Sequence, residues 1–577
     1  MRYARTFFAL MLFINAPTAF CLNRYVDGAD GDDANDGLTL ATAWATIQHS
    51  FDLAQPGDSV FIRGGNYTEH LVMNVTGLPG QRIWFGEYAE EQVEIHGDPS
   101  LGPTMLRIED VSHITIKGLR LSALAVADAQ GILIRCTPDG SVSDISLEYV
   151  RVENIDWTTS PGAIPGPDDN AQPIIVYGEG GTAANAITSL VLDNCVVNSC
   201  NTGYSEALSL DGNITGALIR TCMVTNNTNI GILVAGGYGV CGDPALDNVR
   251  NTIISECWVN RCVSNYATSA GIYVDGADSI LVIRCRASLN GYGYEVGCEE
   301  DGEAIGVRII DCQADNNLGA GLAIGGYDAG TTGQVTGALI RNNDFYNNDS
   351  LREGSGELYM TKAVDCVFRN NIFFTNDQHV LMTREDIAPQ NGNTFDHDVW
   401  FTPGSDPLEA ETDWGGSTLL GYDTFTATSG WEAQGFYADP LLMSATPNYM
   451  NFALQTGSPC IDAGDPATMI MPEEPIARLL GPFIDIGMWE AQLPQSVPHM
   501  QEALVTIGPN PCGSELFFSP APERALIRVL DGSGRTVLGW SLLANGRLDT
   551  SDLLSGMYLV GVHAPGANPV YERVVKH

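Results

Sequence analysis

Between Val150 and Asn376 one short pattern recurs about every 30 residues and sets cysteine or asparagine at the same point of each copy: Cys195, Cys222, Cys257, Cys285, Cys312, Asn343 and Asn371. The spacings are 27, 35, 28, 27, 31 and 28, and a second series stands five residues behind the first: Cys200, Asn227, Cys262, Asn290, Asn317, Asn348 and Asn376. Short apolar strands flank each copy, such as Ile253 with Ile254 and Ile309 with Ile310. A period in this range, built from strands instead of helical pairs, specifies a β-solenoid. Stacking puts equivalent side chains ~4.8 Å apart, so a buried Asn can hydrogen-bond to its neighbours above and below. The alignment extends back through Val150 to Leu119, which gives nine rungs. An all-β parallel β-helix is therefore expected, as one long body with small attachments.

Composition narrows the function. The 577 residues include 70 acidic and 28 basic ones, for a net charge of −42. That excludes a general nucleic-acid or anionic-membrane surface and disfavours an anionic polysaccharide unless a cation or basic patch intervenes. Residues 1–21 read as a secretory signal, with Arg2 and Arg5 ahead of an apolar run. No later apolar stretch is long enough to span a bilayer. Fourteen cysteines in an exported chain suggest disulfides, yet consecutive equivalent cysteines cannot all pair within one column. Buried thiols with a bond or two are expected.

A helix fits residues 43–55, with Thr42 as N-cap, Trp44, Ile47, Phe51 and Ala54 on one face, and Pro56-Gly57 as the stop. The Asp-rich loop over 27–36 breaks calcium-loop spacing at Ala34 and reads as Asx turns. This segment, with YVDG, NDG, PGD and the R-GG-Y-E run, resembles the N-terminal cap of right-handed parallel β-helix proteins of the pectate-lyase-like superfamily. The likeness is strongest to members related to polysaccharide lyase family nine, and continues through DPLL (439–442), GSPCIDAGD (457–465) and DIGMWE (485–490). It implies a first segment over 22–105, repeats over 106–400 and a closing segment over 401–490. After a linker at 491–500, GPNPC (508–512), IRVLDGSGRTV, LDTSDLLSGMYLVGV and ERVVKH resemble the sorting domain of the type IX secretion system, a small C-terminal β-sandwich over 501–577. GPNPC lacks the usual aromatic before Pro-Asn-Pro. The resemblance implies a secreted or cell-surface protein with the type IX secretion machinery as a partner, and a monomer is expected.

The strand after the second ladder aligns on inward apolar pairs: Leu208/Leu210, Ile232/Val234, Ile272/Val274, Tyr294/Val296, Leu322/Ile324, Leu358/Met360 and Val380/Met382. Side chains alternate along a strand, so Tyr273, Glu295 and Tyr359 fall in one outward column and Asp211 and Asp275 in the next. Asp275 and Glu295, one rung and one column apart, form a candidate acid–base pair for glycoside cleavage. Tyr273, Tyr327, Asp328, Tyr359 and Arg384 are candidate substrate contacts. The alternative for Asp211, Asp275, Glu295 and Glu299 is a calcium site, since hard cations take several carboxylate oxygens. In the resembled lyases a lysine is the base beside calcium. No matching motif is present, and Lys362, with His379 and Arg384 on the following rung, is the body lysine placed for that role. Asp275 also suits a plain Asp-Gly turn. Two functions follow: a polysaccharide lyase or glycoside hydrolase at an acidic, tyrosine-rich groove, or a non-catalytic glycan-binding or adhesive surface protein.

Overall fold

The computed structural model describes residues 21–160, 162–326, 332–404, 406–446, 449–474 and 481–491, and then 506–508, 512–519, 525–531, 536–543, 546–551, 553–563 and 570–576. The segments expected as leader and linker lie, apart from Cys21 and Ala491, outside the described residues. Three sheets of thirteen strands each run from Asn23–Val26 to Thr394–Asp396, from Leu71–Val72 to Thr418–Leu420, and from Gly65–Tyr67 to Phe436–Tyr437. The chain visits them in rotation. Val191–Asp193, Val196–Asn198 and Glu206–Gly212 make one coil, and Leu218–Arg220, Met223–Thr225 and Ile230–Ala235 stack on it in register. Neighbours are parallel except the last pair of the second sheet, Glu411–Trp414 with Thr418–Leu420. This is a parallel β-helix. The sheets hold thirteen strands where the ladder pattern counted nine rungs, because three coils before the ladder turn through unequal connections, such as residues 63–64 and 88–92, that carry no repeating Cys or Asn, and the coil after it sets Asp398 at the ladder position.

Corner geometry explains the ladders. The residue before each ladder position except Asn376 is left-handed, as in Asn194 (φ 54°), Ser199 (φ 58°), Glu256 (φ 56°), Leu289 (φ 58°) and Asn342 (φ 56°). A non-glycine residue gives up ~1–2 kcal/mol in that conformation. The turn it makes aims the next side chain inward, where it meets backbone groups of adjacent coils. Asn290 N–H donates to Asn317 Oδ1 at 2.9 Å, and Asn317 N–H and Nδ2 donate to Asn348 Oδ1 at 3.1 and 2.7 Å. In the first ladder Asn343 N–H and Nδ2 reach Asn371 Oδ1 at 3.0 and 2.9 Å. Thiols fill the same slot where the column is cysteine, with Cys312 Sγ accepting from Cys285 N–H at 3.4 Å. All fourteen cysteines are free, and all but Cys21 are buried, so the disulfides allowed for in the sequence do not form.

Carboxyl groups close both ladders. Glu357 accepts from Asn348 N–H and Nδ2 at 2.9 and 2.6 Å. Asp398 accepts from Asn371 N–H and Nδ2 at 2.7 and 2.8 Å, and Glu432 receives Asp398 N–H at 3.3 Å and Trp400 Nε1 at 2.8 Å.

The helix is shorter than expected, Ile47–Leu53, with Thr46 as N-cap instead of Thr42. Trp44 is drawn into a parallel bridge with Val26, which keeps that stretch extended. Asp33 receives the N–H groups of Ala45 and Thr46, and Glu69 those of Ile47 and Gln48. Ile47 and Phe51 enter the coil core, the Phe51 ring 4.7 Å from Phe85. In the Asp-rich loop, Asp27, Asp32 and Asp36 each accept a backbone N–H two residues on, as in Asx turns.

The chain divides into two compact units: one through Pro440 with Ile486–Met488, and one from Leu441–Asp485 and Trp489 onward. In the second unit, antiparallel sheets of three and four strands, from Thr506–Gly508 to Val570–Lys576, share a core that includes Leu516, Phe518, Ile527, Val529, Val560 and Val574. Residues 509–511 of the GPNPC run lie outside the described residues. Among the described residues no helix is long and apolar enough to cross a membrane.

Candidate functional site

The second sheet carries the site on its outer face. Tyr273 pairs with Glu295 and Asp275 with Gly297, and Glu295 continues to Ala323 and Tyr359, which is the expected register. The expected register slips at one strand, where Leu358 pairs with Met382, not Val380, because a bulge lies between Val380 and Met382. Arg384 therefore pairs with Met360 instead of standing beyond Lys362.

A cavity of about 400 Å³ opens over this register. Asp275, Glu295, Glu299, Tyr273 and Tyr359 line it, as do Glu206, Tyr204, Tyr238 and Tyr292, which the sequence did not single out. Ile230, Leu233, Ala270 and Tyr273 form an apolar cluster against which Tyr292 packs, and the Tyr292 and Tyr359 rings lie 11° from parallel with centroids 6.4 Å apart. No lysine, arginine or histidine lines the cavity among the described residues.

Glu206 and Tyr292 escape the alternation rule for a steric reason. Gly231, Gly271 and Gly293 stack beside the ladder. A Cβ on Gly271 would lie 2.6 Å from Asn290 Nδ2 and 2.8 Å from the Gly293 carbonyl, and one on Gly293 2.5 Å from that of Gly321. These inward glycines, with Ala207 at the same register of the preceding strand, flip the side-chain parity at the strand start and turn positions 206, 230 and 292 outward. Tyr238 comes from the loop over residues 236–248, braced by Asp247, whose carboxylate takes the N–H groups of Gly239 and Cys241 at 2.6 and 2.7 Å. Loop reach of this kind leaves no periodic trace.

The carboxyl groups differ in their surroundings. Asp275 is 1% exposed and accepts the Tyr238 hydroxyl on one oxygen and Glu299 N–H at 2.8 Å on the other. Burial pushes its carboxyl up to about 7, with Tyr238 pulling down and Glu299 adding repulsion. Glu295 is half-buried, makes no side-chain hydrogen bond among the described residues, and is pushed up to about 8 by burial and then by Glu299 and Asp275. Glu206, half-buried with Ser205 Oγ at 3.2 Å, is raised to about 7 by burial. Glu299, exposed at the mouth, is also raised by desolvation and accepts the Tyr273 hydroxyl at 3.4 Å. Burial and Glu385 raise Tyr359 to about 12.

The remaining candidates sit elsewhere. Asp211 is half-buried outside the cavity lining, raised to about 6 by burial and Asp247, with Oδ1 lacking a hydrogen bond. Lys362 is 5% exposed and donates from Nζ to the Thr332 carbonyl at 2.6 Å, so it braces the chain and does not line the cavity. The Arg384 guanidinium lies 4.7 Å from the centre of the Trp414 ring. Tyr327 and Asp328 lie outside the described residues. The set proposed for calcium does not come together: Asp211 lies outside the cavity lining, and no three His, Cys, Asp or Glu side chains group as metal ligands among the described residues.

No family model matches the chain. It is 29% identical over 449 residues to the uncharacterized protein YwoF of Bacillus subtilis (strain 168), covering 74% of this chain and 90% of that one. Among solved structures, the GH136 lacto-N-biosidase of Eubacterium ramulus aligns at TM-score 0.41 and 14% identity over 66% of this chain. The chain spans 64% of the length of that protein. A rhamnogalacturonan lyase aligns at 0.38 and 12% identity (75% of this chain, 97% of that one), and the pectate lyase Pel9A at 0.35 and 13% (81% and 96%). At these identities and scores the comparisons assign neither substrate nor reaction, and the fold stands on its own strand register.

Proposed function

We propose that the chain is an exported carbohydrate-active β-helix protein that hydrolyses a glycan in the tyrosine-lined cavity. The observation that carries this reading is Glu295, a carboxyl group held up to about 8, facing the cavity and bonded to nothing among the described residues. A group protonated at neutral pH and free of partners is suited to give its proton to a glycosidic oxygen. Asp275 supplies the second carboxylate, as nucleophile or as base toward water, with Tyr238 fixing its orientation. Parallel pairing puts the two backbones about 8 Å apart on the diagonal, since strands lie ~4.8 Å apart and two residues rise ~6.6 Å. Tyr292 and Tyr359, both half-buried, offer faces on which sugar rings stack.

Hydrolysis is favoured over elimination because elimination needs a positive group to hold a uronate carboxylate, and the described lining carries none. Export rests on the leader over residues 1–21 and on the likeness of residues 501–577 to type IX sorting domains, which deliver their cargo to the outside or the cell surface. Deleting 501–577 then leaves the protein inside a type IX-competent host. The test of the activity is incubation of the full chain with neutral, amino and uronate polysaccharides, reading new reducing ends and ultraviolet absorbance. Reducing ends without absorbance support hydrolysis, absorbance establishes elimination, and binding with neither signal establishes a glycan-binding scaffold.

A further inference from the structure

We propose that the sugar chain this cavity takes carries positive charge, in the form of unacetylated amino groups. The inference rests on the reading of the cavity as a glycan site and names the class of glycan. Its first support is charge that nothing in the lining compensates. Glu206, Asp275, Glu295 and Glu299 face one space, no cationic side chain lines it among the described residues, and the nearby Lys362 spends its ammonium group on the Thr332 carbonyl.

The second support is aromatic. Tyr292 and Tyr359 stand beside those carboxylates, and tyrosine faces attract ammonium groups by their ring quadrupole while also stacking on sugar rings. A uronate would add like charge to a space already repelling itself. An ammonium group would relieve it. The third support is long-range: with a net charge of −42, the field around the chain draws polycations in and turns polyanions away.

A proton balance follows. Glu295, Asp275 and Glu206, raised to about 8, about 7 and about 7, are partly protonated near neutral pH. A bound ammonium group favours the ionised forms of Asp275 and Glu206, so binding at pH 7 releases protons from those two, while Glu295, with the highest value, keeps the proton it gives in cleavage.

The experiment is titration calorimetry on the full chain with glucosamine hexamer, N-acetylglucosamine hexamer, cellohexaose, galacturonate hexamer and spermine, in two buffers of different ionisation enthalpy at low and high salt. The expected result is glucosamine hexamer binding at least about ten-fold tighter than the acetylated and neutral hexamers. Proton release accompanies its binding, and the preference shrinks at high salt. Glu299→Gln, at the exposed mouth, lowers the preference by about three-fold without loss of fold. Neutral or acetylated hexamer binding as tightly as glucosamine hexamer overturns the inference and leaves the glycan site standing. Spermine binding as tightly overturns the requirement for a sugar. No binding by any sugar overturns the reading of the cavity itself.

Discussion

Glu357 and Glu295 have nearly the same acidity and opposite situations. Each is raised to about 8, by burial first. Glu357 is fully buried and receives two hydrogen bonds from Asn348 at the end of a ladder. Glu295 is half-buried beside a cavity and receives none among the described residues. A raised carboxyl pKa alone therefore does not mark a reactive group in this molecule. What separates the two is whether the fold has already used the oxygens.

The comparison breaks first at Glu295. Glu295→Gln is expected to lower the rate of glycan cleavage by roughly 10²–10⁴-fold, with thermal unfolding near that of the parent chain. A cleavage rate unchanged by the substitution removes Glu295 from the chemistry. Glu357→Ala is expected to act the other way. It strands the Asn348 amide and N–H in the interior and costs about 2–4 kcal/mol, readable as a shift in urea midpoint.

Acidity sharpens the same contrast. Glu357 and Asp398 are protonated in the fold up to about 8 and about 7, but in the unfolded chain they ionise near ordinary values. Their contribution to stability is full below the unfolded pKa values and is lost as pH rises through about 7 to 8. Urea unfolding should therefore weaken steadily from pH 5 to pH 9, and Glu357→Gln should flatten that slope; an unchanged slope would count against a protonated ladder end. The smallest effect is expected at Arg384, whose guanidinium rests on Trp414. Arg384→Ala should cost about 0.5–1 kcal/mol of stability and leave cleavage unchanged, and a large loss of activity would return Arg384 to the site.

Legibility in the sequence follows the same division. The Cys and Asn ladders repeat because every coil must satisfy the same backbone groups at the same corner, so a column of identical residues is visible without coordinates. The inward pairs from Leu208/Leu210 to Leu358/Met360 are legible for the same reason. They brought Tyr273, Asp275, Glu295 and Tyr359 together, as the strand pairing and cavity lining show. The bulge after Val380 broke the alignment because an extra residue leaves no mark in an apolar stretch. Tyr292 was hidden by the glycine column, and Glu206 by the same change of side-chain parity at the inward Ala207. Tyr238 was hidden by a loop, and Thr46 by a β-bridge at Trp44 that a helix propensity does not register.

The most direct test of the central claim is a crystal structure of the Glu295→Gln chain with an uncleaved oligomer of its best substrate. The account predicts a sugar stacked against Tyr292 or Tyr359, with the glycosidic oxygen about 3 Å from the side chain at position 295 and Asp275 on the other side of the bond. An oligomer bound with its linkages out of reach of both positions, or bound away from this cavity, would contradict it.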